Sequence, residues 1–548
     1  MRARPGHIPR AGISATLLAA PMPRPAKHPD PIELELFRHL FTSLAEEMGI
    51  VLRKTSYSAN IKERRDYSCA LYNATGDAIA MGDHMPVHLG AMPASLAAAR
   101  AAFPFEPGDV ALLNDPFQGG THLPDITAVS GVFFGRERTP RFYLANRAHH
   151  ADVGGMSPGS MPLAREIYQE GIRIPPVKII RRGKLDCELL SLILANVRTP
   201  VEREGDLLAQ FMSLERGAAR LTEAVQRYGI ATVERNARAL LDYSEKMMRH
   251  VLSELPRGTY RFEDFLDGDG IGNGISENLL PIRVRIALDG RSAHIDFTGT
   301  APQSAGSVNA NLPITQAAAL YVFRCLLAED VPFTSGLMRA INITAPPGTL
   351  VNALPPAAMA AGNVETSQRI TDVLLGALSQ AAPTRIPAAS SGTMNNVTFG
   401  GHDQFRQRPF AYYETIAGGM GAHSLGPGLD ATHTHMTNSW NTPVEAFEHL
   451  YPLRIHSYRV RPRSGGPGKH PGGRGVVKQF EFLTPAEVTI LSDRRARGPY
   501  GLAGGKPGKP GRNLLNRKPL PAKTRFPVRG GDILTIETPG GGGFGPLS

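Results

Sequence analysis

The stretch from Gly108 to Gly155 concentrates side chains that could do chemistry. Apolar runs predicted as strands, Val110 to Leu113, Ile126 to Phe134 and Phe142 to Ala145, each adjoin a polar turn that contains glycine. These turns hold the imidazole and carboxylate side chains of Asp115, His122, Asp125, His149, His150 and Asp152. Such groups, gathered at strand ends, are the ligands that a divalent metal of the Zn, Mn or Fe type requires.

His122 and Asp125 are separated by Leu-Pro, and Pro124 restricts its own φ, so the pair is predicted to lie in a stiff turn. A divalent ion held there would lower the pKa of a bound water from about 15.7 toward 7 and polarise a carbonyl. Cys69 lies in a strand-like run and is predicted to be a small buried hydrophobe. The favoured chemistry is therefore a metal-activated water rather than a covalent intermediate.

Two other histidine pairs have a spacing that could suit a metal. His84 and His88 lie four apart, but Pro86 between them indicates a loop, so hydrogen-bonded turn residues are the preferred interpretation. His433 and His435 lie in a polar turn, and a structural role is preferred for them as well.

The segment Glu166 to Pro176 is predicted to form the rim of a loop. Within it, Glu170 and Arg173 could contact a substrate, and a surface ion pair is the alternative.

Around these residues the sequence predicts a mixed set of elements. Asp30 and Pro31 indicate the start of a first helix, which Gly49 is predicted to end. Tyr67 to Tyr72 and Ala78 to Met81 are predicted to form a β-hairpin. The polar, glycine-bearing segment from 361 to 370 is predicted as a turn.

The predicted fold class is α+β, with a mixed N-terminal part that includes a helical hairpin and a β-rich C-terminal part. The organisation expected along the chain is a disordered basic leader at 1–29, a metal-site α/β domain at 30–257 with the helical hairpin at 202–255, a mixed α/β domain at 258–454, and a β-rich, Gly/Pro-rich region at 455–548.

Composition narrows the class of protein. The chain is 42% hydrophobic and 20% charged and has no apolar run long enough to cross a membrane. Its net charge is +11, and part of this excess comes from the first 27 residues. Arginines are spread along the whole chain, without a dense basic run interleaved with aromatics, so no nucleic-acid partner is predicted. Three scattered cysteines fit a reducing compartment, and the predicted location is the cytoplasm.

Several long motifs carry a resemblance to a known family. These are NIKERRDYSCALYNATGDAIAMGDHMPVHLGAM, NDPFQGGTHLPDITAV, HHADVGGMSPGSMP, EGIRIPP, GNVETSQRI, HMTNSWNTPVE and the glycine-rich ending. From residue 30 to its end the chain resembles the hydantoinase B / oxoprolinase family, which includes N-methylhydantoinase subunits, the C-terminal half of 5-oxoprolinases, and subunits of acetone and acetophenone carboxylases.

The resemblance implies a hetero-oligomer of two components. A hydantoinase A-type subunit would bind ATP and phosphorylate the carbonyl oxygen of a small cyclic amide, and this chain would hold the metal and complete ring opening. Neither glycine-rich loop of this chain, 465–475 or 501–511, matches a Walker A motif, so ATP is predicted to bind the partner.

The resemblance also implies roles for individual residues. The metal ligands would be His122, Asp125, one of His149 and His150, and Asp66 as a fourth. His149 is preferred, although nothing in the sequence separates the two histidines, and the other would contact substrate or act as a general acid. Asp115 and Asp152 would orient the ligand imidazoles, with a cap in the Asn-Asp-Pro turn as the alternative for Asp115.

Three functions fit this resemblance. The preferred one is a subunit of an ATP-dependent hydrolase of hydantoins or 5-oxoproline. The alternatives are a subunit of an ATP-dependent ketone carboxylase, which would need bicarbonate, and a scaffold without chemistry of its own.

Overall fold

The computed structural model describes residues 30–82, 84–271, 279–328 and 331–547. The leader predicted at 1–29 lies outside the described residues. Within them, helices and mainly antiparallel strands alternate irregularly along the chain, and the predicted α+β class is confirmed.

The described residues contain ten α-helices. They are α1 (Pro31–Thr55), α2 (Ala59–Lys62), α3 (Pro86–Leu89), α4 (Met92–Ala102), α5 (Cys187–Ala195), α6 (Pro200–Tyr228), α7 (Ile230–Glu254), α8 (Leu312–Arg324), α9 (Ser367–Ala381) and α10 (Val444–Leu450). Two short 3-10 turns (Ile167–Gln169 and Ser335–Ala340) and a π-helical turn (Gly362–Thr366) accompany them.

The same residues contain twenty strands. They are β1 (Tyr67–Asn73), β2 (Ala78–Met81), β3 (Val110–Leu113), β4 (Asp125–Val132), β5 (Phe142–His149), β6 (Val177–Arg181), β7 (Lys184–Leu185), β8 (Gly258–Leu266), β9 (Leu280–Leu288), β10 (Ala293–Asp296), β11 (Ile341–Thr344), β12 (Asn396–Asp403), β13 (Arg408–Glu414), β14 (Leu453–Val460), β15 (Val476–Phe482), β16 (Ala486–Leu491), β17 (Arg512–Leu515), β18 (Lys518–Leu520), β19 (Lys523–Val528) and β20 (Ile533–Glu537).

The largest sheet has seven strands in the order β2-β1-β5-β4-β3-β6-β7. Successive side chains of a strand point to opposite faces, and both faces of this sheet are covered. Leu144 of β5 packs in one cluster with Phe41 of α1 and Leu214 of α6, whereas Val129 of β4 packs with Leu96 of α4 on the opposite face. The predicted hairpin of β1 and β2 and the predicted pair of long helices, observed as α6 and α7, are both present.

The N-cap predicted for the first helix is present, but the predicted stop at Gly49 is wrong. Asp30 Oδ1 accepts hydrogen bonds from two backbone N–H groups at the start of α1, which then continues through Gly49 to Thr55. A Cβ added at Gly49 would lie 2.7 Å from Nε2 of His84 and 2.9 Å from Cε2 of Tyr67. The glycine therefore permits a close approach inside the helix instead of ending it.

A second sheet, in the order β11-β10-β9-β8, packs against α8, α9 and the C-terminal half of α7. The turn predicted at 361–370 is wrong, because this segment forms the π-helical turn and the start of α9. Every residue from Ser367 to Leu378 is buried, so α9 is an internal helix whose polar side chains are enclosed together with its apolar ones.

Two further sheets, β13-β12-β16-β19 and β14-β15-β20-β17-β18, share one core. Phe399 of β12 meets Phe480 and Phe482 of β15 there, with ring centroids 5.9 and 5.6 Å apart. Strands before residue 455, β12 and β13, therefore share a core with strands after it. The predicted domain boundaries stay predictions.

None of the helices in the described part of the chain is long and apolar enough to span a membrane.

Candidate metal centre

The candidate site forms at the ends of two paired strands of the seven-stranded sheet. Asp125 is the first residue of β4, His149 is the last residue of β5, and the antiparallel register pairs them directly. Directly paired residues share a face of the sheet, and His149 Nδ1 lies 3.1 Å from Asp125 Oδ1. With His122 they form a buried group whose potential ligand atoms all lie within 4.8 Å of one another.

The surroundings of His122 fix its tautomer. Nδ1 lies 3.1 Å from the carbonyl oxygen of Ala360. Because a carbonyl oxygen can only accept, Nδ1 carries the proton and donates a hydrogen bond to it. A neutral imidazole then has an acceptor lone pair on Nε2, which faces Asp125 Oδ1 at 3.0 Å. Two lone pairs at that distance repel unless a proton or a metal cation is shared between them. The donor set therefore fits a divalent ion, with Ala360 as the group that orients the ligand.

Asp125 is the anionic centre of the cluster. Besides His122 and His149, it faces His88, whose Nε2 lies 3.1 Å from Asp125 Oδ2. Burial acts to raise the pKa of the Asp125 carboxyl, but the neighbouring imidazoles of His122, His88 and His149 together outweigh it and hold the pKa well below the usual range. Asp125 is thus ionised at neutral pH, as a metal-binding carboxylate must be.

His149 supplies a second indication of a ligand site. Its Nε2 is buried, and the described residues offer it no hydrogen-bond partner. Burial lowers the pKa of His149, and this effect exceeds the opposite effect of its hydrogen bond to Asp125. The ring is therefore neutral at pH 7 and able to coordinate a metal. A buried imidazole nitrogen without a partner is costly, and a metal ion or a substrate would satisfy it.

Asn363 joins the cluster from the π-helical turn. Its Nδ2 lies 3.1 Å from His122 Nε2 and 3.3 Å from Asp125 Oδ2. The preceding Gly362 passes so close to the backbone of Asn309 that an added Cβ would lie 1.7 Å from the carbonyl oxygen. Only glycine allows the turn to approach the site at this position, and π-helical turns are frequent at functional sites.

Asp66, predicted as a fourth ligand, lies at the margin of the cluster. It is buried immediately before β1, and its Oδ1 lies 3.9 Å from His88 Nε2. It is outside the group formed by His122, Asp125 and His149. His88 is therefore the nearer candidate for a fourth ligand, with Asp66 beside it.

His150 points to a different part of the molecule from His149. Its Nε2 lies 3.0 Å from Oε1 of Gln210 on α6, and Gln210 in turn donates to the carbonyl oxygen of Ile126. Burial, reinforced by the nearby Arg203, lowers the pKa of His150 to about 4. A role for His150 as a substrate contact or general acid stays a prediction, and these contacts favour a supporting role beneath β4.

Asp115 and Asp152 have partners other than the ligand imidazoles. Asp152 accepts a hydrogen bond from Arg198 Nη1 at 3.0 Å and from the backbone N–H groups of Gly154 and Arg198. Asp115 accepts from the N–H of Phe117 at 3.0 Å, as expected of a cap in the Asn-Asp-Pro turn. Their predicted role in orienting ligands stays a prediction, and for Asp115 the capping alternative fits its contacts.

Glu170 and Arg173 do not form the surface ion pair considered as an alternative. Glu170 is fully buried and accepts hydrogen bonds from the backbone N–H groups of Met359 and Ala360, at 2.7 and 2.9 Å. Burial raises the pKa of Glu170 to about 8. Because the Ala360 carbonyl orients His122, Glu170 supports the candidate centre through the backbone of Ala360. Arg173 instead lies 3.4 Å from Asp115.

The remaining candidates lie away from the three-residue group. His84 packs against Tyr67, and its Nδ1 accepts a hydrogen bond from the backbone N–H of Cys69. His435 lies 3.4 Å from the hydroxyl of Tyr321. Ser157 was not among the predicted candidates, although it is the serine of a Gly-x-Ser-x-Gly pattern, Gly-Met-Ser-Pro-Gly. It lies in irregular turns without the strand-to-helix geometry that a nucleophile elbow requires.

Three residues of the site were missed or undervalued in the sequence. His88 had a usable signal, because Pro86 occupies the first turn of α3, where proline favours a helix rather than a loop. Asn363 lay in a segment interpreted as a turn. Tyr413, whose ring stacks on His149, comes from β13 in another sheet, and no local pattern indicates that contact.

Comparison with known proteins shows the family of this chain. The family model described as Hydantoinase B/oxoprolinase matches residues 30–547. The 5-oxoprolinase 1 of Arabidopsis thaliana is 38% identical over 94% of this chain, which spans 42% of that relative's length. A protein of Pseudomonas sp. strain NS671, provisionally named as one subunit of a D-/L-hydantoinase, is 31% identical over 94% of this chain and 90% of its own length.

Two solved structures have the same fold. The ATP-dependent caprolactamase from Pseudomonas jessenii superimposes with a TM-score of 0.86 and 28% identity, over 94% of this chain and 91% of that one. The nucleotide-free acetone carboxylase superimposes with a TM-score of 0.85 over 94% of this chain and 76% of that one, at 19% identity, which shows a shared fold alone. From residue 30 to residue 547, this chain belongs to the Hydantoinase B/oxoprolinase family.

Proposed function

We propose that this chain is the metal-containing subunit of an ATP-dependent cyclic amide hydrolase that opens a hydantoin or 5-oxoproline ring. The observation that carries the proposal is the buried group of His122, Asp125 and His149 in a chain of this family. Its ATP would be bound by a hydantoinase A-type partner in a cytoplasmic hetero-oligomer.

The lengths and names of the relatives support a second component. The chain spans 90% of the Pseudomonas protein that is provisionally named as a hydantoinase subunit, but only 42% of the Arabidopsis 5-oxoprolinase. The glycine-rich loops of this chain also lack a Walker A pattern. We therefore assign ATP activation of the substrate to a separate chain and ring opening to this one.

The residues of this chain suit that chemistry. His122, Asp125 and His149 would hold a divalent Zn, Mn or Fe ion, which supplies a polarised carbonyl and a water of lowered pKa. Asp125 brings the negative charge that such an ion requires, and the carbonyl of Ala360 keeps His122 in the coordinating tautomer. Asn363 Nδ2, beside both ligands, is placed to donate to an oxygen of the substrate.

The test uses this chain co-expressed with its ATPase partner. Phosphate release and ring-opened product are measured with 5-oxoproline, hydantoin, N-methylhydantoin and acetone, each with and without bicarbonate. We expect stoichiometric turnover on a cyclic amide without bicarbonate, and its loss in His122→Ala together with the bound metal. Turnover on a ketone that requires bicarbonate would replace the hydrolase with the carboxylase, and full activity of a metal-free His122→Ala complex would contradict the metal centre itself.

A further inference from the structure

A pocket on the outer side of the segment that leads into β1 has no part in the chemistry described above. Its volume is about 400 Å³, which is within the usual range of roughly 300–1,000 Å³ for small-molecule sites. We call it the Trp440 pocket. It is lined by Arg53, Lys54, Lys62, Glu63, Arg65, Trp440, Asn441 and Pro443.

The lining of the Trp440 pocket is strongly cationic. It combines four cationic side chains with a single carboxylate, that of Glu63. Among the described residues, none of the four cations forms an ion pair. Another basic pocket of about 450 Å³, around Lys246, differs in this respect, because Arg249 there pairs with Glu245 at 2.8 Å. Unpaired cations that converge on a concavity produce a positive potential that attracts anions.

Trp440 forms an aromatic wall of the pocket. Its side chain is 55% exposed, and the guanidinium carbon of Arg65 lies 3.5 Å from the centroid of its ring. Arg65 is in the left-handed region with φ of 55°, a conformation that is unusual for a residue other than glycine. A guanidinium stacked on an aromatic ring keeps its in-plane N–H groups free for a forked hydrogen bond, the arrangement that recognises phosphate.

The pocket and the candidate metal centre share one short segment of chain. Arg64 and Asp66 are buried, with Arg64 donating to the carbonyl oxygen of Tyr413 and Asp66 facing His88. Arg65, between them, points outward onto Trp440. The backbone also ties the two sides together, since the N–H of Trp440 donates to the carbonyl oxygen of Arg64 at 2.9 Å.

We propose that the Trp440 pocket is a binding site for the phosphoryl group of a small phosphorylated molecule. This inference rests on the proposed function, because an ATP-dependent reaction produces such groups as activated substrate, ADP and inorganic phosphate. The size of the pocket and its combination of arginine forks with lysine charges match a small phosphate-bearing anion rather than the extended backbone of a nucleic acid or an acidic protein surface.

The chain offers a direct measurement, because Trp440 is its only tryptophan. Its fluorescence is titrated in the full chain, alone and with the partner, using inorganic phosphate, ADP and acetyl phosphate at constant ionic strength, with chloride and sulfate as comparison anions. Calorimetry is run in parallel, in case binding leaves the emission unchanged. We expect saturable binding of at least one phosphate compound, and the three ligands distinguish free phosphate, nucleotide and acyl phosphate as its source.

Two variants make the assignment specific to this pocket. Lys54→Ala with Lys62→Ala leaves the stack of Arg65 on Trp440 in place and should weaken binding by tenfold or more. Lys246→Ala with Arg291→Ala removes two cations from the other basic pocket and should leave the affinity unchanged. Circular dichroism and the melting temperature show whether each variant is folded, and Arg65→Lys serves as a second test if the double variant unfolds.

Several outcomes would overturn the proposal. One is the absence of saturable binding of any phosphate compound, and another is a response to chloride and sulfate equal to the response to the phosphate compounds. Unchanged affinity in both folded pocket variants would also overturn it. So would a change in Trp440 emission that is caused only by the acidic surface of the partner. The readout needs no turnover, so phosphate binding without ring opening would contradict only the proposed function. Ring opening without phosphate binding would contradict only the pocket.

Discussion

His149 stacks face to face on Tyr413, with the ring centroids 4.3 Å apart and an angle of 19° between the planes. His149 ends a strand of the seven-stranded sheet, whereas Tyr413 lies in β13 of a C-terminal sheet. The Tyr413 hydroxyl donates to Asn396 Oδ1 at 2.9 Å, and the guanidinium of Arg64 lies over its ring at 4.7 Å. The C-terminal part of the chain therefore orients a ligand imidazole of the candidate centre.

This contact predicts different effects for two substitutions of Tyr413. Tyr413→Phe keeps the stacked ring and loses the hydrogen bond to Asn396, so we expect a stability loss of about 1–3 kcal/mol and unchanged metal content. Tyr413→Leu removes the ring that orients His149 and should weaken metal binding about 10-fold or more. Competition with a chelator measures the affinity, and equal affinity in both variants would show that the stack does not position His149.

The two adjacent histidines should respond in opposite ways to truncation. His149→Ala removes a member of the three-residue group, and we expect the purified chain to lose its metal. His150→Ala should retain the metal and lower the melting temperature, because it leaves the buried Oε1 of Gln210 without its partner. Elemental analysis and thermal unfolding of both variants provide the measurement. If only His150→Ala lost the metal, His150 would be the ligand and His149 the supporting residue.

Glu170 predicts a pH dependence of stability. Burial raises its pKa from about 4.5 to about 8 in the folded chain, so between these values the folded state holds a proton that the unfolded state has released. Stability is therefore lost as pH rises through this window, by at most about 1.4 kcal/mol per pH unit. Glu170→Gln keeps an acceptor for the N–H groups of Met359 and Ala360 without this titration.

We expect the melting temperature of Glu170→Gln, relative to the unsubstituted chain, to rise steadily from pH 5 to about pH 8 and to level off above it. Glu188→Gln is the matched control, because Glu188 is an exposed glutamate on α5 and should show no such trend. A difference in melting temperature that stays constant with pH would mean that Glu170 is ionised throughout the window.

Sequence patterns predicted those residues of the site whose positions depend on neighbouring residues in the chain. Asp125 and His149 end strands whose apolar runs are visible in the sequence, and His122 is fixed beside them by Pro124. Sequence could not separate His149 from His150, because neighbouring residues on an extended segment point to opposite sides and only the tertiary structure shows which side carries the site. In the structure, Asp125 faces His149, whereas Gln210 faces His150.

The parts that sequence patterns did not predict depend on distant packing. Gly49 has the residue type of a helix stop, but the side chains that crowd it come from β1 and the loop after β2. The turn predicted around Asn363 is a buried helical segment, because Gly362 packs there against the distant backbone of Asn309 instead of forming a turn. Tyr413 reaches His149 across more than 260 residues, a separation that no local pattern encodes.

The last prediction concerns a buried ionic network that joins the second sheet, α9 and the C-terminal sheets. Arg369 is fully buried, and its guanidinium contacts the carboxylates of Asp264, Asp372 and Asp493 at 3.1, 2.7 and 2.9 Å. Arg369→Met would leave these carboxylates with fewer cations in a desolvated environment. We expect a loss of about 3–5 kcal/mol in the free energy of unfolding.

Arg512→Met provides the control for that substitution. Arg512 pairs with Glu537 at 2.8 Å, but its side chain is 62% exposed, so water screens the pair and its loss should cost less than about 1 kcal/mol. Chemical denaturation of both variants at the same pH measures the difference. Arg494 also pairs with Asp264 and Asp372, and Lys523 pairs with Asp493. If Arg369→Met were no less stable than Arg512→Met, these two cations would be sufficient to neutralise the three carboxylates, and the network would not depend on Arg369.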